Sequence, residues 1–230
     1  MKFLIISDAH GNVENVEKLS DVAKNVDAVL FGGDFAKFGE VQTGKGVLDA
    51  IVRLHDTVFA VRGNCDEENF IDEMKAADIE IEGSISFHEG LAFAGTGGGT
   101  KFSLDTPFER DEDDIVSDLS IVRSSNLANE TKDGENLPLV LIMHNPPKNT
   151  ECDKIPNGVH VGSEKLRNFI EEFRPILVVT GHIHESAGVS TIGKSTVVNP
   201  GSLAEGKYAL AEISKNGDEW KVDSVSLLSL

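Results

Sequence analysis

At 230 residues, 40% of them apolar, the chain is long enough to bury a sizeable core as one large domain or two small ones without covalent staples. Thirty-nine acidic against 21 basic residues give a formal net charge of −18 with no Lys/Arg cluster, which repels a polyanionic duplex and disfavours broad nucleic-acid binding. No apolar run is long enough to span a membrane, the opening MKFLIISD is too short for a signal h-region, and Cys65 and Cys152 lack CxxC spacing, so free thiols in a reducing cytoplasmic compartment are expected.

In chain order, KFLIIS (2–7) is a near-continuous apolar run of the kind found in strands buried on both faces, and NVEKLSDVAK (15–24) follows with helical spacing. The alternation repeats. AVLF (28–31) and GKGVLDAIVRL (44–54), then TVFAV (57–61) and EENFIDEMKAA (67–77), predict two further strand and helix pairs. ISFHEGLAFAG (85–95) reads as a hairpin about a Glu-Gly turn. Residues 101–138 break the rhythm with no convincing strand. There DIVSDLSIV places Ile115, Leu119 and Val122 on one helical face behind an acidic turn, Asp111 to Asp114, that complements the helix dipole; we expect an inserted helix followed by a loop, NETKDGEN (129–136). The acidic run reads as a solvated helix start in preference to a cation patch. LVLIM (139–143), GSEKLRNFIEEF (162–173) and ILVVT (176–180) restore the alternation. GVSTIGKSTVV (188–198) is a second hairpin about Gly-Lys, and YALAEIS with WKVDSVSLL adds alternating strands. Periodicity therefore predicts a layered α/β fold with a mixed sheet, and the absence of repeats or low-complexity linkers predicts a single domain over 1–230.

Each buried run ends in a polar residue of one kind: Asp8 and His10 after the first, Asp34 after the second, Asn64 after the third, His144 after LVLIM, and His182 and His184 after ILVVTG. Singly, an Asp at a strand end is a turn or cap, and a lone His a satisfied surface or core residue. Together they point to one crevice, because the carboxyl ends of strands in open α/β folds line a common cleft. Seven oxygen and nitrogen donors with no arginine in these segments would repel one another without cations, and two divalent metals satisfy them.

The segments SDAH (7–10), GGD (32–34), GNCD (63–66), MH (143–144) and GHIH (181–184), in this order, resemble the calcineurin-like metallophosphoesterase superfamily, and HNPPKNT (144–150) with VVNPGSL (197–203) resembles its small archaeal and bacterial members. The resemblance implies a four-layer α/β/β/α sandwich of two mixed sheets with flanking helices. It also implies that Asp8, His10 and His184 bind one metal, that Asn64, His144 and His182 bind the other, and that Asp34 bridges them. Imidazole and carboxylate ligands suit Mn, the first choice, or Fe, Ni, Co and Zn, and a bridging hydroxide would attack a phosphate ester in line. A phosphodiester is the first choice among small phosphorylated substrates, with a phosphomonoester, a non-catalytic interaction scaffold and a DNA-repair nuclease as the alternatives. Homo-oligomerisation is left open.

Many members of that superfamily carry a histidine where this chain has Cys65, able to protonate a leaving alkoxide while the next acidic residue orients it. A thiol is a weak donor with an ordinary pKa of about 8.5, so Cys65 is a poor general acid and reads as a compact residue that shapes the pocket or a redox-sensitive neighbour of the metals, in preference to a catalytic nucleophile. Asp66 reads as the cap of a helix beginning at Glu67. Asn64, Cys65 and Asp66 complete the catalytic candidates. Gly97, Gly98 and Gly99 read as a loop with unusual backbone angles in preference to a phosphate cradle, Asn12 as a helix cap, and His55, His88 and His160 as structural.

Overall fold

Along β1 (Lys2–Ile6), Phe3 and Ile5 turn to one side and Leu4 and Ile6 to the other, and all four are fully buried. A strand reads as a continuous apolar run when both faces of its sheet are covered, and this computed structural model shows what covers them. It describes residues 1–230 apart from 103–104, 126, 128–136 and 218; the loop expected at 129–136 lies outside the described residues.

Two mixed sheets carry the fold. The first has the order β13-β12-β1-β2-β3, with β2 (Ala28–Phe31) and β3 (Val58–Ala60) parallel to β1 and the hairpin β12 (Lys207–Asn216) and β13 (Glu219–Ser229) antiparallel beside it. The second has the order β10-β11-β9-β8-β5-β4. Here β5 (Leu91–Thr96), β8 (Leu137–Met143), β9 (Pro175–Val179) and β11 (Ser195–Asn199) run parallel, and β4 (Ile85–His88) and β10 (Gly188–Ile192) close the edges as hairpin partners. Both expected turns are present. Glu89 and Gly90 have positive φ at the first, and Gly193 at the second, as two-residue hairpins require.

The apolar residues fall into three layers. Leu4, Ile6, Val29 and Phe31 face α1 (Val13–Lys18), α2 (Ser20–Ala23), α3 (Lys45–Leu54) and α4 (Phe70–Ala76) through Val16, Leu19, Leu48, Ile51 and Met74. Phe3, Ile5, Leu30 and Phe59 meet Phe93, Val140, Ile142 and Val179 between the sheets, where the rings of Phe59 and Phe93 stack 3.9 Å apart. On the far side, Leu139, Leu141 and Val178 meet α5 (Glu112–Ser117), α6 (Ser120–Ser124) and α7 (Glu164–Phe173) through Ile115, Leu119, Val122 and Ile170. The four-layer α/β/β/α sandwich follows.

Several local expectations are corrected. The helix expected over 15–24 breaks at Leu19, whose N–H bonds Val16 O three residues back and tightens the turn. The helix expected from Glu67 begins at Phe70. The inserted helix is two short helices, and the stretch without strands contains β7 (Glu109–Arg110), paired with β6 (Gly99–Thr100) as a separate ribbon. The expected face of Ile115, Leu119 and Val122 is buried as anticipated, with Glu112, Asp113 and Asp114 in the first turn.

Candidate metal centre

The parallel strands β1, β2, β3, β8 and β9 deliver their carboxyl ends to one edge, and there the seven expected side chains converge. His184 Nε2 lies 3.2 Å from Asp8 Oδ1 and 3.1 Å from His10 Nε2. His144 Nε2 lies 2.8 Å from Asn64 Oδ1, and the His144 and His182 rings are 5.1 Å apart. Asp34 Oδ2 sits between the two groups, 3.7 Å from His10 Nε2 and 3.6 Å from His144 Nε2. Asp8, Asp34, Asn64 and His144 are buried, while His10, His182 and His184 are half-buried at the opening.

The backbone is shaped for this convergence. Among the described residues nine non-glycine positions have positive φ, and Asp8, His10, Asp34 and His182 are four of them. Left-handed backbone is costly for a side-chain-bearing residue and persists where the surroundings impose it. Here the loops are tied to each other, Asp8 N–H to Gly33 O at 2.9 Å and His10 N–H to Asp34 O at 3.0 Å. Gly63 and Gly181 let the carboxylates in: a Cβ at 63 would collide with Asp34 Oδ1, and one at 181 with Ser7 Oγ and Asp8 Oδ2.

Two carbonyls fix one proton on each ring. His144 Nδ1 is 2.7 Å from Gly32 O and His10 Nδ1 is 3.2 Å from Ala36 O; a carbonyl only accepts, so both Nδ1 atoms carry a proton, and in the neutral imidazoles both Nε2 atoms present lone pairs inward. The His144 lone pair then faces the Asn64 amide oxygen, and the His10 lone pair faces the Asp34 and Asp8 carboxylates. Acceptor facing acceptor in a buried cluster is the arrangement a cation reconciles, and carbonyl-held Nδ1–H groups are how metal-binding imidazoles are oriented. Asp8, His10 and His184 form one group whose donor atoms lie within 4.8 Å of one another, and Asp8, Asp34 and His144 form another. The donor set fits divalent metal.

The charges are consistent with a ligand nest. Burial alone would raise the Asp8 carboxyl, but the hydrogen bond from His184 and, when those rings are protonated, the charges of His144 and His184 take it well below the usual carboxylate range. Burial pushes His182 down to about 4, so its imidazole is neutral near pH 7, as ligation requires. His184 is shifted upward by its hydrogen bond to Asp8.

The GNCD segment departs from expectation. Asp66 does not cap a helix. Its carboxylate is buried and accepts three backbone N–H groups, from Asp34 at 3.0 Å, Ala36 at 2.8 Å and Gly63 at 2.7 Å, so it staples the loop carrying Asp34 to the loop carrying Asn64. Burial and the Asp34 charge push its carboxyl up to about 7, against those N–H bonds. With both oxygens so engaged, Asp66 positions other groups. Cys65 is 3% exposed, donates its N–H to Asp34 Oδ1 at 2.8 Å, and lies with His10 and Asp34 in a third group of donor atoms within 4.8 Å of one another. Burial, then the charges of Asp34, Asp66 and Asp8, raise its thiol far above the ordinary value.

Asn12 caps α1 as expected, accepting the Asn15 N–H at 3.1 Å. Gly98 has φ +82°, and the N–H groups of Gly98 and Gly99 bond Arg62 O and Phe108 O, which fits the loop reading. His55 bonds backbone at Thr57 and Val26, His88 packs edge-on to Phe59, and His160 meets Asp153. Two roles were not legible in the sequence, although the segment 197–203 stands out in it. The NPGS turn holds the centre from behind: Asn199 Nδ2 donates to Ile183 O at 2.9 Å and Ser202 Oγ to Asp8 O at 2.8 Å. A cavity of about 600 Å³ opens from Asn64 and His182 and is walled by Phe38, Ile155, Val161 and Ile183, which no local periodicity links.

The model of the calcineurin-like phosphoesterase family matches residues 1–186. The chain belongs to that family. Its members are metal-dependent, and the three groups of donors above are where this member could hold metal. An uncharacterized protein of Methanocaldococcus jannaschii is 34% identical over 224 residues, 94% of each chain. One crystal structure superposes with a TM-score of 0.77 at 21% identity, covering 99% of this chain and 98% of its own. Another solved structure, described as a novel archaeal phosphodiesterase, superposes with a TM-score of 0.52 at 15% identity, covering 99% of this chain and all of its own. These two show the shared fold. Among the described residues no helix is long and apolar enough to cross a membrane.

Proposed function

We propose that this member of the family is a phosphoric ester hydrolase that acts first on phosphodiesters, with two divalent cations, manganese being the first choice. Asp8, His10 and His184 hold one, Asn64, His144 and His182 hold the other, and Asp34 is shared. The observation that carries the reading is the position of Asp34 Oδ2 between His10 Nε2 and His144 Nε2, one from each set. Cations bound there would supply Lewis acidity toward a phosphoryl oxygen and a water activated at neutral pH. The chain's own residues do the rest. Gly32 O and Ala36 O keep the His144 and His10 protons on Nδ1, Asp66 and the NPGS turn hold the loops, and the apolar wall excludes bulk water from one side.

A diester is favoured because Lys101 is the sole cationic side chain among the described lining of the cleft, and it is paired with Asp111 at 2.6 Å. Beyond the cations themselves, the second negative charge of a monoester would find no free cationic side chain among those lining residues. The archaeal phosphodiesterase of the same fold supports this choice. We read the protein as a single cytoplasmic unit with a small phosphorylated substrate, on the apolar layer shared by its sheets and its two buried free thiols.

The test is metal analysis together with hydrolysis of bis(4-nitrophenyl) phosphate against 4-nitrophenyl phosphate. Asp34→Asn is expected to lose more metal and more activity than His182→Ala or His184→Ala alone. Two retained metals with full activity in Asp34→Asn would end the dinuclear reading. A fully metal-loaded protein inert toward both esters would favour the scaffold.

A further inference from the structure

The wall of the cleft is built with care where a phosphate centre alone would need none. Phe38 is 67% exposed and Val161 39% exposed, and both face the cavity that the candidate ligands Asn64 and His182 also line, together with Ile155 and Ile183. Exposed apolar side chains gathered on a chain of net charge −18 call for a reason, and a concave, largely apolar site with a few polar groups at one end is the usual form of a pocket for an organic ligand. The segment carrying Ile155 and Val161 is held rigid from beneath. Asp153 is fully buried, and its carboxylate accepts the N–H groups of Asn149 at 3.1 Å, Thr150 at 2.8 Å and Gly162 at 3.0 Å and faces His160 Nδ1 at 2.8 Å. Across the segment, Ile155 N–H bonds Val159 O and Val161 N–H bonds Asp153 O, both at 3.0 Å.

We infer that this wall is a specificity site for one large apolar ester group of the substrate, phenyl-sized or larger, seated against Phe38, Ile155, Val161 and Ile183 while the phosphate sits at Asn64 and His182. The inference rests on the phosphoesterase reading and names its substrate class: phosphate esters with a bulky apolar group, in preference to those of small polar alcohols. Asn64 and His182 line the same cavity as the apolar wall, so a single ligand can touch both. The volume, about 600 Å³, is ample for a ring and a phosphate together.

The experiment uses two non-hydrolysable probes that carry the same dianionic anchor, phenylphosphonate and methylphosphonate, titrated calorimetrically into the metal-loaded protein. Phenylphosphonate is expected to bind at least about tenfold more tightly, since a ring that even partly leaves water outweighs a methyl group by that much. In Phe38→Ser and Val161→Ser, both at exposed positions where folding is little affected, the ratio of the two affinities should fall toward one. Equal affinities in the native chain, no binding of either probe, or a preference that survives both substitutions overturns the inference. Hydrolysis of methyl 4-nitrophenyl phosphate, measured in parallel, separates the two readings: a phenyl preference that depends on Phe38 and Val161 without any hydrolysis keeps the apolar site and overturns the phosphoesterase.

Discussion

Asp66 shows how a residue can shape a candidate metal centre while its own oxygens are engaged elsewhere. Its carboxylate gathers the N–H groups of Asp34, Ala36 and Gly63, all three residues buried, and so fixes the loop of the central candidate ligand. Leaving a buried N–H without a partner costs about 1–3 kcal/mol, so Asp66→Ala is expected to destabilise the fold by about 3 kcal/mol or more in urea denaturation. Asp66→Asn, which keeps one oxygen able to serve two of the three donors, should lose distinctly less. Both should bind metal less tightly, in the same order. A loss below about 1 kcal/mol in Asp66→Ala would show that the loops hold without the staple. The sequence could not show this role, because a cap accepts N–H groups from the helix that follows it in the chain, whereas Asp66 accepts two of its three from residues 30 and 32 positions away.

At the scale of elements, legibility followed burial. The runs at 2–7, 28–31, 57–61, 139–143 and 176–180 were readable as strands because each is covered on both faces, and the convergence of the seven candidate ligands was readable because each stands within a few residues of such a run's end. What was not readable depends on tertiary contact. The ribbon of β6 and β7 is two residues long on each side, with no periodicity to detect. The break at Leu19 is a local tightening within an unbroken apolar pattern. The cleft wall draws Phe38, Ile155 and Val161 from segments more than a hundred residues apart. One element carries its own prediction. Helix α7 ends at Arg174, which adopts left-handed backbone with φ 51° just before Pro175, at a position where glycine is the common choice. Arg174→Gly relieves that strain and should stabilise the protein by about 0.5–1 kcal/mol in thermal denaturation; a loss of stability would mean the arginine stem packs usefully against its surroundings.

On the scale of the whole molecule, the charge of −18 leaves the cleft with Lys101 as its sole cationic lining residue among those described, and that residue is already paired. Long duplex DNA should therefore show no detectable binding at physiological salt by gel shift or fluorescence anisotropy, and a tight, salt-sensitive complex would revive the nuclease alternative. The layered architecture has a further consequence, in the order of synthesis. Phe3 pairs with Ala211, 208 positions later, so while the chain is being made β1 stands with one edge bare until β12 arrives. The last candidate ligand, His184, emerges before the groups that seat Asp8: Leu203, whose N–H bonds Ser7 O, and Ser202, whose hydroxyl bonds Asp8 O. A growing chain thus exposes every candidate donor before it can arrange them, and any metal site built from them would take its final shape only after Ser202 and Leu203 have been made.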